Sequence, residues 1–432
     1  MAEVRVYAEV RLWGRTVGGV VELDSGRIVF EYADDFHQAD LEPSPIWLPI
    51  ERRGPVSFPA LADKPAFNGL PGLLADALPD AFGNRVIRAY YAARGSERLA
   101  LSPVQRLLYV GERALGALTF HPAEEIPTRP AELESLEIAA LVADARRIIE
   151  GRPEVALPEI YRIGASAGGM RPKAVVLYNP ASGDIRSAYA APHPGDVPAI
   201  LKFDGVGDGA GPPAESLGQP QPFNRVEAAY AAMARAAGID MAESRLLESG
   251  AHGHLLVTRF DFDGATRLHQ HSFGGMIHVD YHEPGASSYE EYLRTILRLG
   301  LAQASIVEGF RRMVFNVLAV NQDDHVKNLS FHMGPDGRWR LTPAYDVTFA
   351  HGSGFTARHQ MRVRDKTAGV TMKDLLALAD VFDIRAPDHI IERTRAALAG
   401  WKDAAGDSGV PPDTVGTIQR EIDRRWNEIG TA

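Results

Sequence analysis

From Val4 to Tyr32 apolar and polar side chains alternate. Val4, Val6, Ala8, Val10 and Leu12 interleave with Arg5, Tyr7, Glu9 and Arg11, the two-residue period of a half-buried strand. Gly14, Gly18-Gly19 and Asp24-Ser25-Gly26 interrupt the run and predict turns. A helix is predicted from Asn84 to Arg94 and a strand over 116–120. Ile138, Leu141, Val142 and Ala145 share one face of a further short helix. A glycine-rich turn then leads from Ile163 into a strand ending at Tyr178, and Pro198–Phe203 forms another strand. The run from Asn224 to Ala237 reads as a helix with Asn224 as its cap and Gly238 as its stop. Arg245–Glu248 and Leu255–Phe260 read as a hairpin across Gly250–Gly253. Beyond residue 285 the period becomes helical. Ile306, Phe310, Met313, Val314, Val317 and Leu318 line one face of a helix that delivers the chain to Asn321, and helices follow over 372–380, 388–401 and 412–429.

Between the strand-rich start and the mixed middle lies a Pro-rich acidic junction, residues 121–134. It suggests a boundary, giving an N-terminal β-rich domain over 1–125, a second domain over 126–257 and a helical one over 258–432. No internal repeat and no low-complexity tract occur. Composition narrows the function classes. Of 432 residues, 45% are apolar and 24% charged, as in ordinary globular proteins. No apolar run approaches the roughly 18 residues that would read as a membrane span, and the N-terminus lacks the basic start and apolar stretch of a secretory signal. With no cysteine, disulfides, thiolate metal sites and Cys nucleophiles are excluded, which fits a cytoplasmic location. A formal charge of -10 and pI near 5.8 disfavour unaided binding to DNA or RNA.

The densest chemistry is Asn321-Gln322-Asp323-Asp324-His325-Val326-Lys327-Asn328. Asp323 and Asn328 are five residues apart, the separation of catalytic-loop Asp and metal-binding Asn in protein kinases. Asp323 is the candidate acceptor of a substrate hydroxyl proton, and Asn328 offers an oxygen to Mg²⁺. Asp324 either competes as base or binds the loop backbone. His325 suits a structural role, because hard oxygen ligands fit Mg²⁺ better than imidazole. Leu329–Met333 and Arg338–Leu341 form a predicted hairpin about Gly334-Pro335-Asp336-Gly337. It returns the chain to Asp346, the second candidate metal ligand. Upstream, Gly164–Gly169, including Ser166, Gly168 and Gly169, can offer backbone N–H groups to phosphates. Lys202 sits inside an apolar strand, and Glu227 is its candidate partner. Thr258-Arg259-Phe260 follows the last strand, where a kinase hinge would offer backbone groups to adenine. His269, His271, His278 and His282 match no zinc spacing.

These segments together resemble the HipA family, the kinase toxins of HipA–HipB toxin–antitoxin modules. Phe67-Asn68-Gly69-Leu70-Pro71 and Leu78-Pro79-Asp80 look like its N-terminal subdomain, Gly164–Ala174 like its phosphate loop, and Asn321–Phe331 with Leu341–Asp346 like its catalytic loop and metal segment. The resemblance implies an α+β, two-lobed protein-kinase-like fold with a small N-terminal β-rich subdomain and a mainly helical C-terminal lobe. It implies an ATP- and Mg²⁺-dependent Ser/Thr protein kinase, with Asp323 as base, Asn328 and Asp346 as metal ligands, and Lys202 on the phosphates. Ser166, Gly168, Gly169, Lys173, Glu227, Thr258 and Phe260 complete the nucleotide set, and Ser166 matches a regulatory autophosphorylated serine. Implied partners are a HipB-like helix-turn-helix antitoxin, DNA only through that antitoxin, and a protein substrate in the translation machinery. Two other readings compete. A degenerate kinase fold could serve only as the antitoxin's partner, against which stand intact Lys202, Asp323, Asn328 and Asp346. A metal-dependent phosphoesterase could use Asp323-Asp324-His325, but lacks further ligand clusters.

Overall fold

The computed structural model describes residues 3–95, 101–126, 136–155, 159–164, 171–206 and 219–430. Two compact units divide the chain: Met1–Ser44, Leu48–Asn224 and Glu243–Gln270 form the first, and Pro45–Trp47, Arg225–Ala242 and His271–Ala432 the second. Among the described residues no helix is long and apolar enough to cross a membrane.

The first unit holds two larger antiparallel sheets. Strands β1 (Val4–Leu12), β2 (Arg15–Leu23), β3 (Ile28–Tyr32) and β4 (Leu118–His121) are ordered β3-β2-β1-β4. The alternation in β1 is real: Ala8, Val10 and Leu12 are fully buried. Gly18 and Gly19, expected in a turn, lie instead inside β2, opposite Val10 and Glu9, next to a register shift. Close approach, not chain reversal, is why they are glycines. A Cβ on Gly18 would lie 2.1 Å from the Glu31 carbonyl oxygen, and one on Gly19 2.9 Å from the Tyr7 ring. Helix α1 (Ala81–Ala92) begins three residues earlier than expected, because the Asp80 side chain caps it by accepting from Gly83 N at 2.6 Å. Helix α2 (Pro103–Val110) was not anticipated, although Ser102 and Gln105 form a reciprocal capping box around Pro103.

The second sheet comprises β5 (Lys173–Tyr178), β6 (Ile185–Ser187), β7 (Val197–Lys202), β8 (Ser244–Ser249) and β9 (His252–Thr258), ordered β6-β5-β7-β9-β8. Its inner face packs with α1 and α3 (Ile138–Ile149) around Phe82, Tyr90, Tyr109, Leu141, Val176 and Leu201. The next helix, α4 (Phe223–Ala236), already contains Asn224. That side chain is therefore not the expected cap. Its amide donates to the carbonyls of Lys202 (3.2 Å) and Gly253 (3.0 Å), tying the ends of β7 and β9 together.

The second unit is mainly helical: most of α4, then α5 (Tyr289–Arg298), α6 (Gln303–Leu318), α7 (Met372–Val381), α8 (Pro387–Ala399), α9 (Trp401–Asp407) and α10 (Pro412–Gly430). Its core gathers Tyr230, Phe273, Tyr289, Tyr292, Phe310, Phe315, Phe331 and Trp401. The apolar face read for α6 is the buried one. Gly400 splits what the sequence pattern joined as 388–401, and α9 follows it. Arg425 of α10 is buried and donates to Val317 O (3.2 Å) and Val370 O (2.9 Å), so the last helix holds the C-terminal turn of α6. The predicted hairpin forms as β10 (Ser330–Met333) and β11 (Trp339–Leu341), with Phe331 opposite Leu341.

Substituting Gly18→Ala should destabilise the protein by roughly 1–3 kcal/mol through overpacking. Gly14→Ala meets no atom within 4 Å, only a strained φ of 77°. Thermal unfolding of both variants checks this; a Gly18→Ala melt matching wild type would contradict the close-approach assignment.

Candidate active site

The loop after α6 is built from its polar groups outward. Val320 adopts φ 57° and ends the helix. Gln322 N donates to Ala350 O at 2.9 Å, and Gln322 O accepts from Gln360 Nε2 at 3.2 Å. Asp323 O accepts from His325 N at 2.9 Å and from Asn328 Nδ2 at 2.9 Å. A short 3-10 turn, Val326–Asn328, closes the loop. The Asp323 backbone is thus held while its side chain stays 40% exposed.

Asp324 behaves oppositely. Its side chain is fully buried. Oδ1 accepts from Gln360 N (2.7 Å), and Oδ2 from Tyr289 Oη (2.8 Å) and His359 Nδ1 (3.0 Å). Its partners are not the loop backbone, which the sequence reading offered as the alternative to a base, but groups about 35 residues away. Tyr289 Oη in turn accepts from Asn316 Nδ2 (3.0 Å), and Asn316 Oδ1 accepts from Asn321 Nδ2 (2.9 Å).

Asp346 has φ 52°, a left-handed conformation that Asp tolerates better than most residues. The preceding Tyr345 sets its register: Tyr345 Oη donates to Lys327 O (2.7 Å) and lies 2.6 Å from Ser330 Oγ. Asn328 and Asp346 both line one small concavity, along with Asn316, Asn321, Asp324 and His325. The Asn328 amide nitrogen bonds to Asp323 O, so its carbonyl oxygen is the atom it can offer a cation. That oxygen and the Asp346 carboxylate are hard donors suited to Mg²⁺, which commonly takes only one or two protein carboxylates and completes its shell with water and phosphate. No group of three or more His, Asp or Glu side chains that could hold a metal occurs among the described residues. Burial pushes the His325 imidazole down to about 4 despite the opposing pull of Asp346, so His325 is neutral at physiological pH, and its ring lies tilted against Tyr281 with centroids 5.1 Å apart.

In the first unit Lys173 and Lys202 are directly opposite across β5 and β7 and both are buried. Cross-strand partners point to one face, so two ammonium groups share one side of the sheet. Lys173, counted by sequence in the nucleotide set, is placed beside Lys202 by this register. Thr258 ends β9, and its N–H donates to Glu243 O at 2.8 Å. Phe260 is half-buried just beyond, after an Arg259 that holds Asp261 through two hydrogen bonds. Glu227 is buried on α4, in the second unit. Ser166, Gly168 and Gly169 lie outside the described residues.

Two domain families cover most of this sequence: residues 165–401 match the HipA-like C-terminal domain, and residues 8–121 the HipA N-terminal domain. The chain belongs to the HipA family. It is 24% identical over 436 residues to a Sinorhizobium fredii protein named "Putative kinase Y4dM", covering 95% of each. It is 32% identical over 125 residues, 25% of this chain and 36% of the other, to a Haemophilus influenzae protein named "Putative kinase". The solved Shewanella oneidensis MR-1 HipA, in complex with HipB and operator DNA, superposes with a TM-score of 0.66 at 17% identity, covering 97% of this chain and 96% of that one. The HipA likeness carries the fold, and the α+β kinase-like architecture expected from sequence is the one this chain adopts.

Just beyond Lys202 in this HipA-family chain, buried Asp204 accepts from the N–H groups of Gly205 (2.7 Å), Gln221 (2.8 Å) and Gly253 (3.1 Å). Asp204 N itself donates to His254 Nδ1 at 3.0 Å, which requires that nitrogen unprotonated. Burial pushes His254 down to about 4. An unfolded His titrates near ~6.5, so between those values the unfolded chain binds the extra proton. The contribution is present above pH ~6.5 and is lost as pH falls toward 4, amounting to about 2 kcal/mol at pH 5. Denaturant titrations at pH 7 and pH 5 should show this loss, and His254→Asn should flatten it. Equal pH dependence in the two proteins would contradict the assignment.

Proposed function

We propose that this chain is an ATP- and Mg²⁺-dependent Ser/Thr protein kinase and the toxin of a HipA–HipB-type module. The observation that carries the reading is local to the second unit. Asn328 and Asp346 line one concavity, and the neighbouring Asp323 has a pinned backbone and a half-exposed carboxylate. Phosphoryl transfer asks mainly for such positioning and for charge neutralisation. Bound Mg²⁺·ATP would supply the transferable phosphoryl group and the cation that screens its charge. Asp323 accepts the proton of the attacking hydroxyl as its oxygen bonds to phosphorus and the bond to the ADP oxygen breaks. Asn328 and Asp346 would hold the metal by oxygen. Lys202 and Lys173 meet the phosphate oxygens, while Gly168 and Gly169 supply backbone N–H groups. Thr258 and Phe260 contact the adenine.

Autophosphorylation of Ser166 would place about -1.5 to -2 of charge in the glycine-rich loop. That charge repels the nucleotide phosphates and silences the enzyme. A HipB-like helix-turn-helix antitoxin is the partner, as HipB is for the Shewanella oneidensis HipA, and an acidic chain then reaches DNA only through it.

Incubating the purified full chain with Mg²⁺ and labelled ATP should label protein, with phosphate found on Ser166 by mass spectrometry. Removing a general base typically costs ~10²–10⁴-fold, and Asp323→Asn should lose label to that degree. Release of inorganic phosphate without protein labelling, or wild-type labelling by Asp323→Asn, would sink the reading.

A further inference from the structure

The segment that follows Asp346 returns to the catalytic loop and is fastened to it at several points. Ala350 N donates to Val320 O at 3.2 Å, and Ala350 O accepts from Gln322 N at 2.9 Å. His351 Nδ1 lies 2.7 Å from Gln322 Oε1. The Gln360 side chain bridges Gln322 O to the carbonyls of Phe355 and Arg358. At the centre of these contacts is Asp324, whose buried carboxylate binds Gln360 N and His359 Nδ1 from this segment and Tyr289 Oη from α5.

Each attachment brackets Asp323. Residue 322 is fixed on both backbone groups, and residue 324 is fixed through its side chain. The intervening residue has little freedom left except in its exposed carboxylate. In protein kinases the corresponding segment is ordered by phosphorylation, through new arginine–phosphate pairs. Here the anion is already part of the catalytic loop, and its donors are a backbone N–H, an imidazole and a phenol. None of these needs an added phosphate.

We infer that Asp324 is a positioning residue: its carboxylate latches residues 350–360 onto the loop, and thereby fixes the backbone from which Asp323 acts, without phosphorylation of that segment. This rests on the kinase reading for its effect on rate, but not for its effect on the segment. A residue that only supported global folding would change melting temperature and leave local exchange and the ratio of kcat to KM alone. A latch changes kcat and local protection together, and leaves nucleotide affinity nearly unmoved.

The test combines hydrogen–deuterium exchange with steady-state phosphotransfer on the full chain. Wild type treated with phosphatase should keep slow exchange over 350–360. Asp324→Asn should accelerate exchange in 320–324 and 350–360, with distant helices such as α8 unchanged, and should lower kcat by about 100-fold with KM for ATP within about threefold. Tyr289→Phe removes one donor of three and should give the same pattern at smaller amplitude, so a misfolded Asp324→Asn still leaves a decisive variant. Unchanged exchange over 350–360 in Tyr289→Phe and Asp324→Asn overturns the latch, as does protection that disappears after phosphatase treatment. If wild type transfers no phosphate, the kinase reading fails, while the exchange measurements still decide the latch.

Discussion

A fully buried carboxylate must be surrounded by donors, and Asp324 meets that demand with three groups from two separate parts of the chain. Losing the acceptor would strand those donors in the interior, at about 1–3 kcal/mol for each left unpaired. The loop conformation is therefore coupled to α5 through Tyr289, to α6 through Asn316, and to the segment around His359 and Gln360. Much of the second unit can be understood as support for this coupling. Arg425 holds the end of α6, and Tyr345 fixes the metal segment to Lys327 O. The result is a rigid frame with one half-exposed carboxylate, Asp323, and a pair of oxygen donors, Asn328 and Asp346, at one concavity.

The first unit solves a different problem with similar means. Two lysines on one sheet face repel each other and resist burial, yet Lys173 and Lys202 are both buried and in register. The ends of their strands are secured by Asn224, which bridges Lys202 O and Gly253 O, and by Asp204 with its three N–H donors. These bonds fix the strand ends from which the two lysines project.

Local signals were readable wherever spacing along the chain encodes the contact. The step from Asp323 to Asn328, the Pro-Asp-Gly turn and the face of α6 all belong to that class, as do the alternations of β1 and the HipA-like motifs. Contacts between distant residues were not readable. Tyr289, His359 and Gln360 lie about 35 residues from Asp324, and nothing in their own neighbourhoods marks them as its partners. Asn224 looked like a helix cap because Asn often is one, yet long-range carbonyls claimed its amide. Gly18-Gly19 looked like a turn because glycine often is one, yet the neighbouring strand needed the space. The capping box at Ser102 and the break at Gly400 were present in the sequence and could have been found.

In the proposed site, one oxygen of Asn328 and the carboxylate of Asp346 would hold the metal of a nucleotide. The most direct measurement is a crystal structure with Mn²⁺ and a non-hydrolysable ATP analogue, collected for anomalous scattering at the Mn edge. An anomalous peak is expected within roughly 2.0–2.3 Å of Asn328 Oδ1 and an Asp346 oxygen. An ordered analogue whose metal peak lies away from both residues would contradict it.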